Sequence, residues 1–153
     1  MLIHEEKLKI SSFYWIGYLI LFILFAIIMI SFINNKIYET DRTGFIIMTV
    51  IFVFSFLTIY GLMPKKYLIF DNCLKIICGL IKITIKFENI EYIKDRKRSA
   101  LIFSLDGVAF GQFNKQNCIF IKTKKGFNYV IQPEDFNNFK TILMQSYLNF
   151  IKN

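Results

Sequence analysis

FYWIGYLILFILFAIIMISFI, from Phe13 to Ile33, and GFIIMTVIFVFSFLTIYGLM, from Gly44 to Met63, contain no charged side chain. Each run is about 20 residues long, so as a helix rising ~1.5 Å per residue it reaches about 30 Å, the thickness of a bilayer core. Only a short polar loop, Asn34 to Thr43, separates them. The pattern predicts a transmembrane hairpin. The first run exceeds the apolar core of a signal peptide, and Phe32-Ile33-Asn34-Asn35 lacks the small residues of a cleavage site, so it reads as a retained anchor. Neither run holds an Asp, Glu, His, Lys or Arg that would mark an ion or proton path. Ser31, Thr49, Ser55 and Thr58 can return hydrogen bonds to their own helix.

Working outward, residues 1–12 read as a tail, 13–63 as the hairpin and 64–153 as one small domain. Before Pro64, Lys7, Lys9, Lys36 and Arg42 are offset by Glu5, Glu6, Glu39 and Asp41, so the formal net charge of +8 belongs to the C-terminal part. Lys65 and Lys66 directly follow the second run. Positive flanks stay inside, which predicts both termini in the cytoplasm and a multi-pass protein of the cytoplasmic membrane. A basic domain tethered beside a bilayer is drawn to anionic lipid at about 1 kcal/mol per Lys or Arg near the surface. The three cysteines, Cys73, Cys78 and Cys118, form no CxxC pair and no even disulfide set, and read as reduced, partly buried thiols.

From Tyr67 the period changes. Ile81, Ile83, Ile85 and Phe87 alternate with Lys82, Thr84 and Lys86, the pattern of a half-buried strand. Asp71-Asn72 suits a hairpin turn, and Gly79, Asp106-Gly107 and Lys124-Lys125-Gly126 mark others. Ile90 to Lys94, Ala100 to Phe103, Val108 to Phe113, Cys118 to Thr123 and Phe127 to Ile131 complete about seven short antiparallel strands, as in a sandwich or barrel. A helix is predicted to start at Pro133, favoured by Glu134 and Asp135, with Phe136, Phe139, Leu143, Tyr147 and Phe150 as its apolar stripe.

Tyr67-Leu-Ile-Phe-Asp-Asn-Cys-Leu-Lys-Ile-Ile-Cys-Gly79 resembles the opening hairpin of bacterial pleckstrin-homology-like (PH-like) domains. Ile83-Thr-Ile-Lys-Phe-Glu-Asn-Ile90 with Tyr92-Ile93 is similar to their next segment. Ser104-Leu105-Asp106, then Tyr129-Val-Ile-Gln-Pro-Glu-Asp-Phe136 and Phe139, is similar to their second half. The resemblance runs from Tyr67 to about Leu143; Gly107 stands where a basic residue is usual, and Gln132 replaces the serine before Pro133. It implies seven antiparallel strands closed by a C-terminal helix, behind a two-helix anchor. It also implies a non-enzymatic binding role, since small members of this build serve bacteriocin self-immunity by protecting the producer's membrane. The short, acidic Asp71-Asn72 turn cannot form the long basic loop that grips inositol phosphates in eukaryotic PH domains.

The remaining chemistry points the same way. His4, the only histidine, precedes the apolar runs, which leaves the basic segment without a His-dependent triad. There is no phosphate loop, HExxH or zinc-type spacing, so no enzyme, cofactor or metal is expected. The basic clusters, Lys94 with Arg96, Lys97 and Arg98 in one loop and Lys122 with Lys124 and Lys125 near another, suit diffuse contact with anionic headgroups. The expected partners are the bilayer and either a bacteriocin peptide or another membrane protein. The alternative to self-immunity is a scaffold or accessory subunit of a membrane complex, such as an exporter or an envelope-stress assembly. Nucleic acid is not expected, because no aromatic platform is visible among the cations.

Overall fold

The computed structural model describes residues 1–9, 12–34, 42–97, 107–111 and 117–152. It divides into two units, one of Ser12–Gly61 and one made of Met1–Ser11 with Leu62–Asn153.

The first unit is a pair of helices, α1 (Ser12–Asn34) and α2 (Arg42–Leu62). Phe25 and Phe52 stack with ring centroids 3.8 Å apart, Tyr18 meets Phe56 at 4.7 Å, and Phe32 meets Phe45 at 6.3 Å. One residue number rises as the other falls, so the helices run antiparallel along an aromatic seam. Thr49, Ser55 and Thr58 each donate to the carbonyl four residues back, which satisfies their hydroxyls within α2. Outward-facing side chains such as Trp15, Phe22, Ile27, Val50 and Phe54 remain exposed. Both helices are long and apolar enough to cross a membrane, over Trp15–Asn34 and Thr43–Gly61.

The second unit holds two four-stranded sheets. The first has the order β1-β2-β3-β4 and comprises β1 (Leu2–Lys7), β2 (Pro64–Phe70), β3 (Cys73–Cys78) and β4 (Lys82–Lys86), all antiparallel. A short 3-10 turn, Phe87–Asn89, leads into the second sheet. This has the order β5-β7-β8-β6 and comprises β5 (Ile90–Lys97), β6 (Val108–Gly111), β7 (Asn117–Thr123) and β8 (Tyr129–Gln132). Helix α3 (Phe136–Lys152) follows. One core takes Tyr67, Ile69, Leu74, Ile76 and Ile85 from the first sheet, Phe110, Ile119, Ile121 and Ile131 from the second, and Phe139 and Leu143 from α3. Tyr67, fully buried, ties all three together. Its hydroxyl donates to the Phe110 carbonyl at 2.7 Å, accepts from the Gln132 N–H at 3.4 Å, and its ring lies 5.5 Å from that of Phe139.

Three expectations need correction. Within the segment read as a tail, Leu2–Lys7 is a strand that pairs with β2, Leu8 donates to the Lys65 carbonyl at 2.8 Å, and Glu5 meets Lys66 at 3.0 Å. His4 therefore belongs to the sheet unit, where it packs edge-on to Phe139 at 5.9 Å. The strands are not antiparallel throughout, because β6 runs parallel to β8. The predicted strand Ala100 to Phe103 lies outside the described residues. Gly107, at the start of β6, is required by close approach: a Cβ there would lie 2.7 Å from the Asn128 carbonyl oxygen. At Gly126 φ is +94°, a left-handed conformation that suits glycine in the β7–β8 turn.

Strand β1 also reaches α3. The half-buried Glu6 carboxylate accepts from the backbone N–H groups of Glu134 and Asp135, while Lys9 N–H donates to the Glu134 carboxylate at 3.0 Å. Burial raises the Glu6 pKa above its ordinary value; the two N–H groups and His4 pull it down, and Glu134 adds to the rise.

Two predictions follow from β1. Replacing the segment between Lys9 and Pro64 by a short Gly/Ser turn should yield a soluble domain with a cooperative urea transition. A fragment beginning at Pro64 should lose that transition, because β2 is left as an open edge. Because the folded-state pKa of Glu6 is raised, its protonation favours folding: that contribution is full below the ordinary glutamate pKa and is lost as pH rises through the folded value. In the soluble variant, stability relative to Glu6→Gln should therefore rise as pH falls from neutrality into the glutamate range. A pH-independent difference would refute this.

Candidate functional site

The second sheet has an apolar inner face and a charged outer one. Ile93, Ile119 and Ile121 turn toward the core, so their neighbours in sequence turn away. The β5–β7 ladder then sets Tyr92 opposite Lys122 and Lys94 opposite Phe120, with Arg96 next along β5. These side chains line an open groove of about 520 Å³, completed by Asp95, Lys97 and Asn128.

Cations and rings interleave in the groove. The Lys94 ammonium lies 5.3 Å from the Tyr92 ring centroid and 5.8 Å from that of Phe120; the Arg96 guanidinium lies 5.6 Å from Phe120, and the Lys122 ammonium 5.5 Å from Tyr92. Such contacts contribute roughly 0.5–1 kcal/mol each at exposed sites. Phe120 is only 4 % exposed although it faces outward; the apolar stems of Lys94 and Arg96 suit such a ring while their charged heads stay wet. Opposite Arg96 in the ladder, the buried Cys118 thiol donates to the Arg96 carbonyl at 3.0 Å.

The two acids beside the groove are both engaged. Glu91 pairs with Lys122 at 3.2 Å, and Asp95 pairs with Lys140 of α3. Lys94 and Lys97 have no ion pair among the described residues. The groove therefore combines cationic side chains with ring faces, a chemistry suited to an anionic group. Among the described residues no three His, Cys, Asp or Glu side chains gather to hold a metal ion. The three cysteines are free and buried, and burial pushes the Cys78 thiol up to about 11.

The predicted contact residues separate. Arg96, Lys97 and Lys122 line the groove. Arg96 and Lys97 lie on β5 and not in a loop, because the strand continues past Lys94 in register with Cys118 and Asn117. Lys124 donates to the Glu88 carbonyl at 2.8 Å, outside the groove lining, and Lys125 is exposed in the β7–β8 turn. Arg98 lies outside the described residues. Sequence reasoning missed Tyr92 and Phe120 as part of the site. Their signal is the two-residue period Tyr92, Lys94, Arg96 and its ladder counterpart Phe120, Lys122, which puts rings and cations on one face once β5 and β7 are paired.

No protein-family model, curated protein or solved structure matches the chain.

Clustering makes a distinguishable prediction. On a phosphocellulose matrix the Lys94→Glu/Lys97→Glu protein should elute at clearly lower salt than wild type. Lys75→Glu/Lys86→Glu, which changes the same charge elsewhere, should shift elution less. Equal shifts would mean that charge is spread evenly over the surface.

Proposed function

We propose that the chain is a non-catalytic binding protein of the cytoplasmic membrane, in which a two-pass hairpin anchors a PH-like domain that receives an anionic partner. The observation that carries the binding reading is the groove of Lys94, Arg96, Lys97 and Lys122 over Tyr92 and Phe120. Two four-stranded sheets around one core, with a C-terminal helix, support the PH-like reading; β1 and the parallel β6–β8 pair depart from the expected pattern. The membrane reading rests on the length and apolar surface of α1 and α2.

Sidedness has two supports. Strands β1 and β2 flank the hairpin in sequence yet share a ladder, which supports both ends of the hairpin emerging on one side of the bilayer. Lys65 and Lys66 at that junction favour the cytoplasmic side. The physiological role that fits this arrangement and the family resemblance is bacteriocin self-immunity. The protein sits in the threatened membrane and either intercepts a pore-forming peptide or stabilises the bilayer against it, and neither action needs catalysis.

Expression of the full chain in a sensitive strain should raise tolerance to a pore-forming peptide encoded beside its gene. The soluble variant without the hairpin should protect poorly, because it lacks the local concentration that tethering supplies. If the full chain protects against no such peptide, a scaffold or accessory-subunit role in a membrane complex replaces immunity.

A further inference from the structure

The alternation of Ile81, Ile83, Ile85 and Phe87 predicts four core-facing residues. Three of them comply: Ile85 and Phe87 are buried and Ile83 packs against the core. Ile81 does not. It lies in the β3–β4 turn, 42 % exposed, beside Leu80 at 67 %. The turn is held closed by the Cys78 N–H donating to the Ile81 carbonyl at 2.8 Å, so its exposed apolar pair is part of an ordered backbone.

The position of this turn suggests what covers it. Helix α2 ends at Leu62 and β2 begins at Pro64, leaving Met63 alone as the connection. The Gly79 N–H donates to the Met63 carbonyl at 3.0 Å, and Cys78 is the ladder partner of Pro64. The turn is thus bonded to the first residue after the helix. The apolar span ends at Gly61, two residues before Met63, and consecutive Cα atoms are ~3.8 Å apart. A headgroup layer is about 5–7 Å deep on each side of the hydrocarbon core. Met63 is therefore within reach of that layer, and Leu80 and Ile81 directly follow the residue bonded to it. Lys82 follows them and Lys65 stands on the adjoining strand, where ammonium groups can meet lipid phosphates.

We infer that the β3–β4 turn, through Leu80 and Ile81, is an additional membrane contact that inserts into the headgroup–acyl boundary. The inference rests on the reading of α1 and α2 as membrane-spanning.

The full chain in vesicles of phosphatidylethanolamine and phosphatidylglycerol provides the test. Single cysteines introduced by Leu80→Cys, Asn72→Cys and Val53→Cys are labelled with an environment-sensitive fluorophore; the three native thiols are buried. Asn72 is exposed in the β2–β3 turn, at the opposite end of those strands from Met63. The expected result is blue-shifted emission at position 80, with quenching by lipids carrying a quencher near the headgroup and resistance to aqueous iodide. Position 72 should stay iodide-accessible, and position 53 should be quenched by labels deep in the acyl chains. If position 53 behaves as expected and position 80 matches position 72, the turn contact is overturned while the anchor stands. Protection of position 80 from iodide without lipid quenching means a protein covers it, and also overturns the inference. Failure of acyl-chain quenching at position 53 removes the membrane-spanning reading and this inference with it.

Discussion

The β1–β2 ladder is the constraint on which the molecule turns. It joins segments that an apolar hairpin separates: Glu5 and Lys66 stand 61 positions apart and meet at 3.0 Å. Closing so long a loop costs conformational entropy that grows only slowly with length. The two helices shorten the cost further, because an antiparallel pair returns the chain to near its starting point. The hairpin is thus an insertion within a domain and not an appendage before it. Leu8 and Lys65 close the ladder beside the insertion point, and Glu6 extends its influence to the approach to α3.

Tyr67 carries that constraint into the second sheet. It sits on β2, inside the same ladder, and its hydroxyl bonds β6 and β8. A buried hydroxyl left without a partner costs about 1–3 kcal/mol, so the two sheets are held in one arrangement and not merely pressed together. The groove depends on this indirectly. Its rings and cations lie on the outer face of strands whose inner residues, Ile93, Ile119 and Ile121, are locked in the shared core.

Most local structure was legible from period and turn chemistry. The helices, the Asp71-Asn72 turn, the alternation around Ile83 and Ile85 and the stripe of α3 all follow from spacing. Strand β1 was not legible, for a physical reason. Its inward-leaning positions are His4 and Glu6, satisfied by an aromatic edge and by backbone N–H groups, so it lacks the apolar alternation that announces a strand. The parallel pairing of β6 with β8 was equally hidden, since strand direction is set by the path of the chain and not by side-chain period. For the site, charge was visible and arrangement was not. Arg96, Lys97 and Lys122 stood out as cations, whereas Tyr92 and Phe120 read as ordinary strand residues until the β5–β7 register put them beneath those cations.

The split sheet unit also has a consequence for synthesis. Strand β1 leaves the ribosome before its partner β2, which emerges only after the whole apolar hairpin. During that interval β1 has neither its ladder nor α3 to bond with. On the proposed membrane-spanning reading, the insertion machinery handles α1 and α2 before the sheet can close, and β1 must be retained on the side where β2 will emerge. A hairpin that inserts the wrong way round would strand β1 and β2 together on the opposite face, whereas one that inserts only a single helix would leave them divided by the bilayer, unable to pair. On that reading, completion of the sheet is in effect a check that both helices have been threaded.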